Sequence, residues 1–330
     1  MSVEVITARE VPLGGLRAML VRRTLPTRGR SLIGAWCFLD HYGPDEVAAS
    51  GGMSVAPHPH IGLQTVSWLF SGEIEHRDSA GNHAMVRPGE LNLMTAGRGI
   101  SHSEVSTSGT TTLHGAQLWV ALPDEARDGK PGFEHFAPPP VGGPGWTARV
   151  FLGSLLGQTS PVATFTPLLG AEILLEPGAA LDVPIDPAFE HGILVDTGAV
   201  TVVETEGGVV ETPSGVVETS SGVVEQRAPA SVVETHELGY LPPGPTELNL
   251  IAGPDGARIL LLGGPPFGEP IVMWWNFVGR THEEVASARE AWQQQLEQGY
   301  HDGRFGIPVG NQMPPIPAPA MPQVRLKQRH

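Results

Sequence analysis

Between residues 58 and 122 the chain alternates short apolar and polar stretches cut by glycine and proline: QTVSWLFSG, EIEHRD, SAGN, HAMV, RPGE, LNLMT, AGRG, ISHSEV and HGAQLWVALP. Val66, Trp68 and Phe70 alternate with Ser67, Leu69 and Ser71, giving one apolar face and one mixed face. Period-two alternation with frequent turns predicts an antiparallel, all-β sandwich or barrel.

A second pass of the same pattern begins near residue 190. Setting Gly72 against Gly198 aligns SWLFSGEIE (67–75) with ILVDTGAVT (193–201), and PGELNLMTAG (88–97) matches PGPTELNLIAG (243–253). Two copies of one β-barrel motif explain this most simply. The second spacing is longer by 31 residues, and VVETEGG, VVETPSG, VVETSSG, VVEQRAPAS and VVET, at 202–235, account for almost all of the surplus. Paired valines separated by Gly, Pro and Ser cannot form a coiled-coil seam, so this insertion is expected to be an exposed, weakly ordered hairpin loop.

Only near the C-terminus does the period change. In THEEVASAREAWQQQLEQG, Thr281 and Glu284 form a capping box, Val285, Ala288, Trp292 and Leu296 share one face, and Gly299 supplies a stop. This predicts a helix over 281–299 packed on a barrel. Beyond it, 300–330 is a Pro-rich tail, expected to be extended and disordered. The predicted domains are a barrel at 1–140, a second at 141–280 carrying the 202–235 insertion, then helix and tail.

Composition narrows the function. The chain has 330 residues, 40% hydrophobic and 17% charged, with 42 Gly and 32 Pro, which suits turn-rich β structure rather than a helical bundle. Its 20 basic against 35 acidic side chains give a net charge of −15, which argues against direct nucleic-acid binding. Cys37, the single cysteine, can form no internal disulfide and reads as a buried structural thiol. Charges interrupt the N-terminal stretch and no apolar run approaches the roughly 20 residues of a membrane span. A cytoplasmic location and no membrane contact are therefore expected, and, with no exposed heptad seam, a monomer.

Two dyads carry the candidate chemistry: His58-Pro-His60 and His102-Ser-Glu104. Residues i and i+2 of a strand point to one face, so two neighbouring strands can aim four donors at one point. Imidazole and carboxylate without thiolate suit a first-row metal. Pro57 and Pro59 place the first dyad at a strand start or edge, and the AGRG turn holds the second at a barrel mouth. Chance spacing among 13 histidines is the competing explanation. His76 is expected to face solvent, and His114 to be a hydrogen-bonded barrel residue.

The run PHPHIGLQTVSWLFSGEIEHRDSAGNHAMVRPGELNLMTAGRGISHSE, together with EPIVMWWNFVGRTHEE at 269–284, resembles the pirin family of bicupins. The resemblance implies two cupin-type antiparallel β-barrels packed face to face, with one metal in the first. Its ligands would be His58, His60, His102 and Glu104, and the metal iron, Fe2+ above manganese, nickel, copper or zinc. Gly52, His58 and His60 fit the general cupin pattern, whereas Gln64 stands at its usual glutamate position, a departure that is itself pirin-like. Some pirins resemble quercetin 2,3-dioxygenases, which open a flavonol ring with O2 and release carbon monoxide. Glu104 would then also be the catalytic base, and Phe38, Met53 and Trp119 would line a small-molecule substrate pocket. Other pirins are metal- or redox-responsive regulators, which implies instead a protein partner, a transcription factor or metabolic enzyme, without turnover. The repeat alignment sets His58 and His60 opposite Pro184 and Asp186, and His102 and Glu104 opposite Arg258 and Leu260, so the second barrel is expected to bind no metal.

Overall fold

A computed structural model describes residues 3–13, 19–205, 230–300 and 303–330. Most of the 202–235 insertion lies outside the described residues. Its two flanks, 199–203 and Ala230–Glu234, pair antiparallel. Both repeats form cupin-type sandwiches with open edges rather than closed barrels. In the first, a four-stranded sheet containing Ser54–His60, Ile100–Ser106, Ile74–Asp78 and His83–Val86 lies over a seven-stranded sheet centred on Leu63–Ser71, Thr112–Ala121 and Trp36–Glu46. In the second, Glu190–Thr205 and Glu247–Gly264 each run through both layers of a nine-stranded sheet.

The apolar face read at Val66 and Trp68 is buried against the other repeat. Trp36, Val66, Trp68 and Leu118 share one cluster with Phe151, Leu194, Leu260 and Leu262, and Trp68 stacks on Phe151 with ring centroids 4.5 Å apart. Packing is thus face to face, and the hydrophobic effect joins the repeats. A polar link reinforces the joint. The Asp196 carboxylate accepts from His41 Nε2 at 2.7 Å and His114 Nε2 at 2.5 Å, and Arg258 lies 3.3 Å from its other oxygen. His114 is therefore hydrogen-bonded, as expected. Cys37 is buried, which pushes its thiol pKa far up and leaves it unreactive.

Strand pairing corrects half of the repeat alignment. The Gly72 and Gly198 turns are equivalent, each joining two strands that pair with corresponding partners. The two LNL segments are not: Leu91–Thr95 pairs with Leu63–Ser71, as Leu238–Leu241 pairs with 191–194, whereas Leu248–Leu250 occupies the place of the His102 strand. Three apolar residues recur too easily in strands to fix register. Through the pairings, His76, Glu104, His102, His58 and His60 correspond to Val202, Leu250, Leu248, Val183 and Ile185. All five replacements are buried and aliphatic. The positions of the second repeat that stand where the candidate ligands stand in the first thus differ from those inferred by offset.

The C-terminal helix spans His282–Glu297. Thr281 Oγ1 accepts from the Glu284 N–H at 3.1 Å, and the Glu284 carboxylate reaches back one residue further than expected, to the Arg280 N–H at 2.7 Å. Its buried face is Val285, Ala288, Trp292 and Gln295, with Leu296 half-buried. It packs with Val272, Phe277 and Ile61, on a hairpin (Val272–Trp274, Phe277–Gly279) that lies against the His60 strand. No helix among the described residues is long and apolar enough to cross a membrane. The tail is irregular and extended, yet it is held against the protein, contrary to the disorder expected from its proline content: Phe305 and Ala318 are buried in the helix cluster.

Candidate metal centre

His58 and His60 end an edge strand, Ser54–His60, that among the described strands pairs only with the His102 strand. His102 stands opposite His58 and Ile100 opposite His60, so alternation turns all three imidazoles to one face. Between His102 and Glu104 the register slips, with Glu104 opposite Val55 rather than Ala56. Pro57, having no N–H for the ladder, lies within this bulge. The extra residue lets the strand bend toward the centre.

The three histidines converge. His60 Nε2 lies 3.0 Å from His102 Nε2, ring centroids are 4.4 to 4.9 Å apart, and one nitrogen from each of the three falls within 4.8 Å of the others. His58 Nδ1–H donates to Ala56 O and His60 Nδ1–H to Asn276 O, both at 2.9 Å, which directs each Nε2 lone pair inward. Burial lowers the pKa of His58 to about 4 and those of His60 and His102 well below the usual value, helped by their mutual proximity. They are neutral near pH 7, the form that binds metal.

Glu104 stands to one side. Its carboxylate groups within 4.8 Å with His102 and His76, while Ser67 Oγ lies 3.3 Å away and itself donates to Gln117 at 2.9 Å. Burial raises the Glu104 pKa against the opposing effects of His76, Ser67 and Gln117. The mixed face of the Leu63–Ser71 strand thus supplies the polar floor of the centre. Three neutral imidazoles and one buried carboxylate, with no cationic side chain among them, fit a divalent first-row ion.

His76 is not solvent-facing. Ile74, His76 and Asp78 form the inward row of their strand, with Glu75 and Arg77 outward, and His76 is 2% exposed. Its Nδ1 lies 3.4 Å from His102 Nδ1 and its Nε2 3.3 Å from Asp78 Oδ2. Ile74 at the head of the row was the signal that marked this face.

A cavity of about 420 Å³ opens onto the donors and is lined by Phe38, Met53 and Trp119, all three expected from the sequence. Phe38 and Trp119 stack with centroids 4.0 Å apart and planes 13° from parallel, and the Arg23 guanidinium lies 4.3 Å above the Phe38 ring, held by a bidentate bond to Asp40. Trp275, Asn276, Gln117, Leu13 and Ile316 also line it and were not anticipated. Trp275 has a left-handed φ of 54°, a conformation that costs energy in a tryptophan and fits a site position. The WWN sequence in the 269–284 motif was the available clue to it.

Comparison with known proteins places these features. Residues 18–120 match the family model Pirin, and residues 170–297 match the Pirin C-terminal cupin domain. A Pseudomonas aeruginosa protein named as a candidate quercetin 2,3-dioxygenase is 43% identical, the match covering 96% of this chain and 90% of that protein. Human Pirin is 31% identical, covering 70% and 73% respectively. The crystal structure of quercetin 2,3-dioxygenase from Acinetobacter baumannii superposes with a TM-score of 0.82 at 36% identity, covering 98% of both chains.

Proposed function

The chain belongs to the pirin family, and from that premise we propose that its first repeat is an iron-dependent dioxygenase site for a flavonol-like, chelating substrate. The observation that carries this reading is the conjunction of three converging neutral imidazoles with an aromatic-walled cavity large enough for a planar polyphenol. The similarity to proteins named for quercetin 2,3-dioxygenase supports the substrate class.

His58, His60 and His102 would hold the ion without adding charge, and Glu104 would contribute one negative charge. When bound, iron supplies Lewis acidity toward the substrate's adjacent oxygens and redox access to O2. The protein's share is binding and proton handling. The stacked Phe38–Trp119 pair offers a flat apolar surface to an aryl ring. Glu104, whose buried carboxylate has a raised proton affinity, would accept the proton of the substrate hydroxyl. The cavity walls exclude bulk water from the opened ring. Both atoms of O2 end in the products, one carbon of the ring leaves as carbon monoxide, and no external reductant is consumed.

Anaerobic loading with Fe2+ followed by quercetin and O2 tests this, with O2 uptake and carbon monoxide as readouts. Wild-type protein is expected to release carbon monoxide, and Glu104→Ala that retains iron is expected to release at least a hundredfold less. Silence from folded, iron-loaded wild-type protein would overturn the dioxygenase reading in favour of a metal-responsive binding protein.

A further inference from the structure

The Pro-rich tail is built into the pocket. From residue 303 onward it crosses the strands that carry the candidate ligands and then the C-terminal helix. Ser79 Oγ donates to Phe305 O at 2.6 Å, Ser101 Oγ to Gly306 O at 3.1 Å, and the Val309 N–H to Asp78 O at 3.1 Å. Further along, the Ala318 N–H donates to Gln293 Oε1 at 2.7 Å and Arg289 Nε to Pro319 O at 3.0 Å. These are contacts to His102's neighbour, to the His76 strand and to the helix face, so the tail lies as a strap across the open side of the sandwich.

At its centre is Ile316, which lines the cavity with the three histidines and Glu104. Its N–H donates to Pro57 O at 2.8 Å, beside His58, and its C=O accepts from Trp292 Nε1 at 2.8 Å. Both of its backbone polar groups are therefore tied, one to the ligand strand and one to the buried helix anchor. Pro315 and Pro317 flank it, restricting the backbone to extended conformations, and its β-branched side chain has few rotamers. The proline content that suggests disorder in isolation here lowers the entropy lost on docking. Ile316 packs beside Leu13, Met53 and Val55, a cluster separate from the one containing Phe38 and Trp119. The cavity takes apolar walls from both.

We infer that Ile316 is a specificity-determining wall of the metal pocket, contacting the aryl portion of a bound planar chelator and setting the largest ring system admitted. The inference rests on the reading that the site takes an organic chelator. The strap positions Ile316, so the tail contributes one wall of the cavity.

The test uses full-length protein loaded with Ni2+, so that binding is read without turnover. Affinities for catechol, 3-hydroxychromone, 3-hydroxyflavone and quercetin are measured spectroscopically in wild type, Ile316→Ala, Ile316→Trp and Ile316→Val. Ile316→Trp is expected to weaken the two largest ligands about tenfold or more relative to catechol, Ile316→Ala to lower that size discrimination, and Ile316→Val to restore wild-type selectivity. Equal ratios across ligands in all four proteins overturn the inference, since a merely structural role would shift all affinities together. Metal extraction by ethylenediamine and by bulky phenanthroline separates the two ideas. If wild type binds no flavonoid yet Ile316→Ala specifically speeds extraction by phenanthroline, the wall stands and the flavonol reading falls. If extraction by both is unchanged as well, the wall falls.

Discussion

Replacing His76 by phenylalanine tests how the centre is held from behind. His102 presents Nε2 to His60, so its Nδ1–H must find an acceptor on the other side, and His76 Nδ1 lies there at 3.4 Å. His76 can accept only if its own proton sits on Nε2, facing Asp78 Oδ2. Asp78 enforces that. Burial would raise its pKa, but bonds from His76 and from the Asn82 backbone and side chain hold it below the usual carboxylate range, and the Ala80 N–H also donates to it. The chain from Asp78 to His76 to His102 thus fixes one tautomer and one ring orientation. Loss of such a support costs roughly 10- to 100-fold in metal affinity, about 1.4 to 2.7 kcal/mol. Phenylalanine keeps the volume and the packing on the Phe133 ring, 5.0 Å away, so the fold should survive. Ni2+ affinity, measured by competition against a chelator at pH 7.5, is expected to fall by that factor in His76→Phe and by less in Asp78→Asn. A His76→Phe protein with wild-type Ni2+ affinity would refute the relay, since His76 is the group within hydrogen-bond distance of His102 Nδ1 among the described residues.

Four further outcomes follow from the same contacts. Metal analysis of loaded protein should give one equivalent per chain, with His60→Ala and His102→Ala giving none; metal retained in either variant would refute the assignment of the centre to these histidines, the His41–His114–Asp196 group at the joint being another donor set close enough to hold an ion. Gly62→Ala should displace the Val272–Gly279 hairpin, because Gly62 has a φ of 67° and a Cβ there would collide with Val278 O. The expected loss is about 2 kcal/mol or more of stability, together with weaker Ni2+ binding as Asn276 O leaves His60, both read by denaturation and metal titration. Trp292→Ala should cost about 3 to 5 kcal/mol in urea unfolding and expose the strap to protease, whereas Trp292→Phe, which mainly loses the bond to Ile316 O, should cost about 1 kcal/mol. At the joint, burial would raise the Asp196 pKa, but its bonds from His114 and His41 outweigh that and hold it low, while burial lowers that of His41 against the pull of Asp196. Both groups are depressed relative to the unfolded chain, so their stabilisation is full above about pH 6.5 and declines as the medium is acidified, first through His41 and then, below about pH 4, through Asp196. Asp196→Asn should therefore show lower stability at pH 7 and a shallower loss below pH 4 in denaturant titrations across pH; parallel curves would refute this.

The four candidate donors were legible because strand alternation is a local rule: i and i+2 share a face whatever the rest of the chain does. The helix was equally legible, its period and its Thr281 cap being properties of consecutive residues. Phe38, Met53 and Trp119 rested on the resemblance, and the cavity contains all three. What the sequence left open depends on partners distant in the chain. Val66 and Trp68 announced an apolar face, but only packing showed that it meets the other repeat while Ser67 faces Glu104. His76, in a strand just after a turn, was expected to face outward, and the inward row is decided by what lies across the sheet. The LNL match failed because register is set by hydrogen-bonded pairing, which three recurring letters do not encode. The tail is the clearest case. Its composition fixed an extended, stiff chain, and tertiary contacts from Pro57, Asp78 and Trp292 decided that this chain is a wall of the site. Local periodicity thus determined strands, helix and candidate ligands, whereas side-chain burial, inter-repeat packing and the contents of the pocket arose from long-range contacts whose free energy no short segment carries alone.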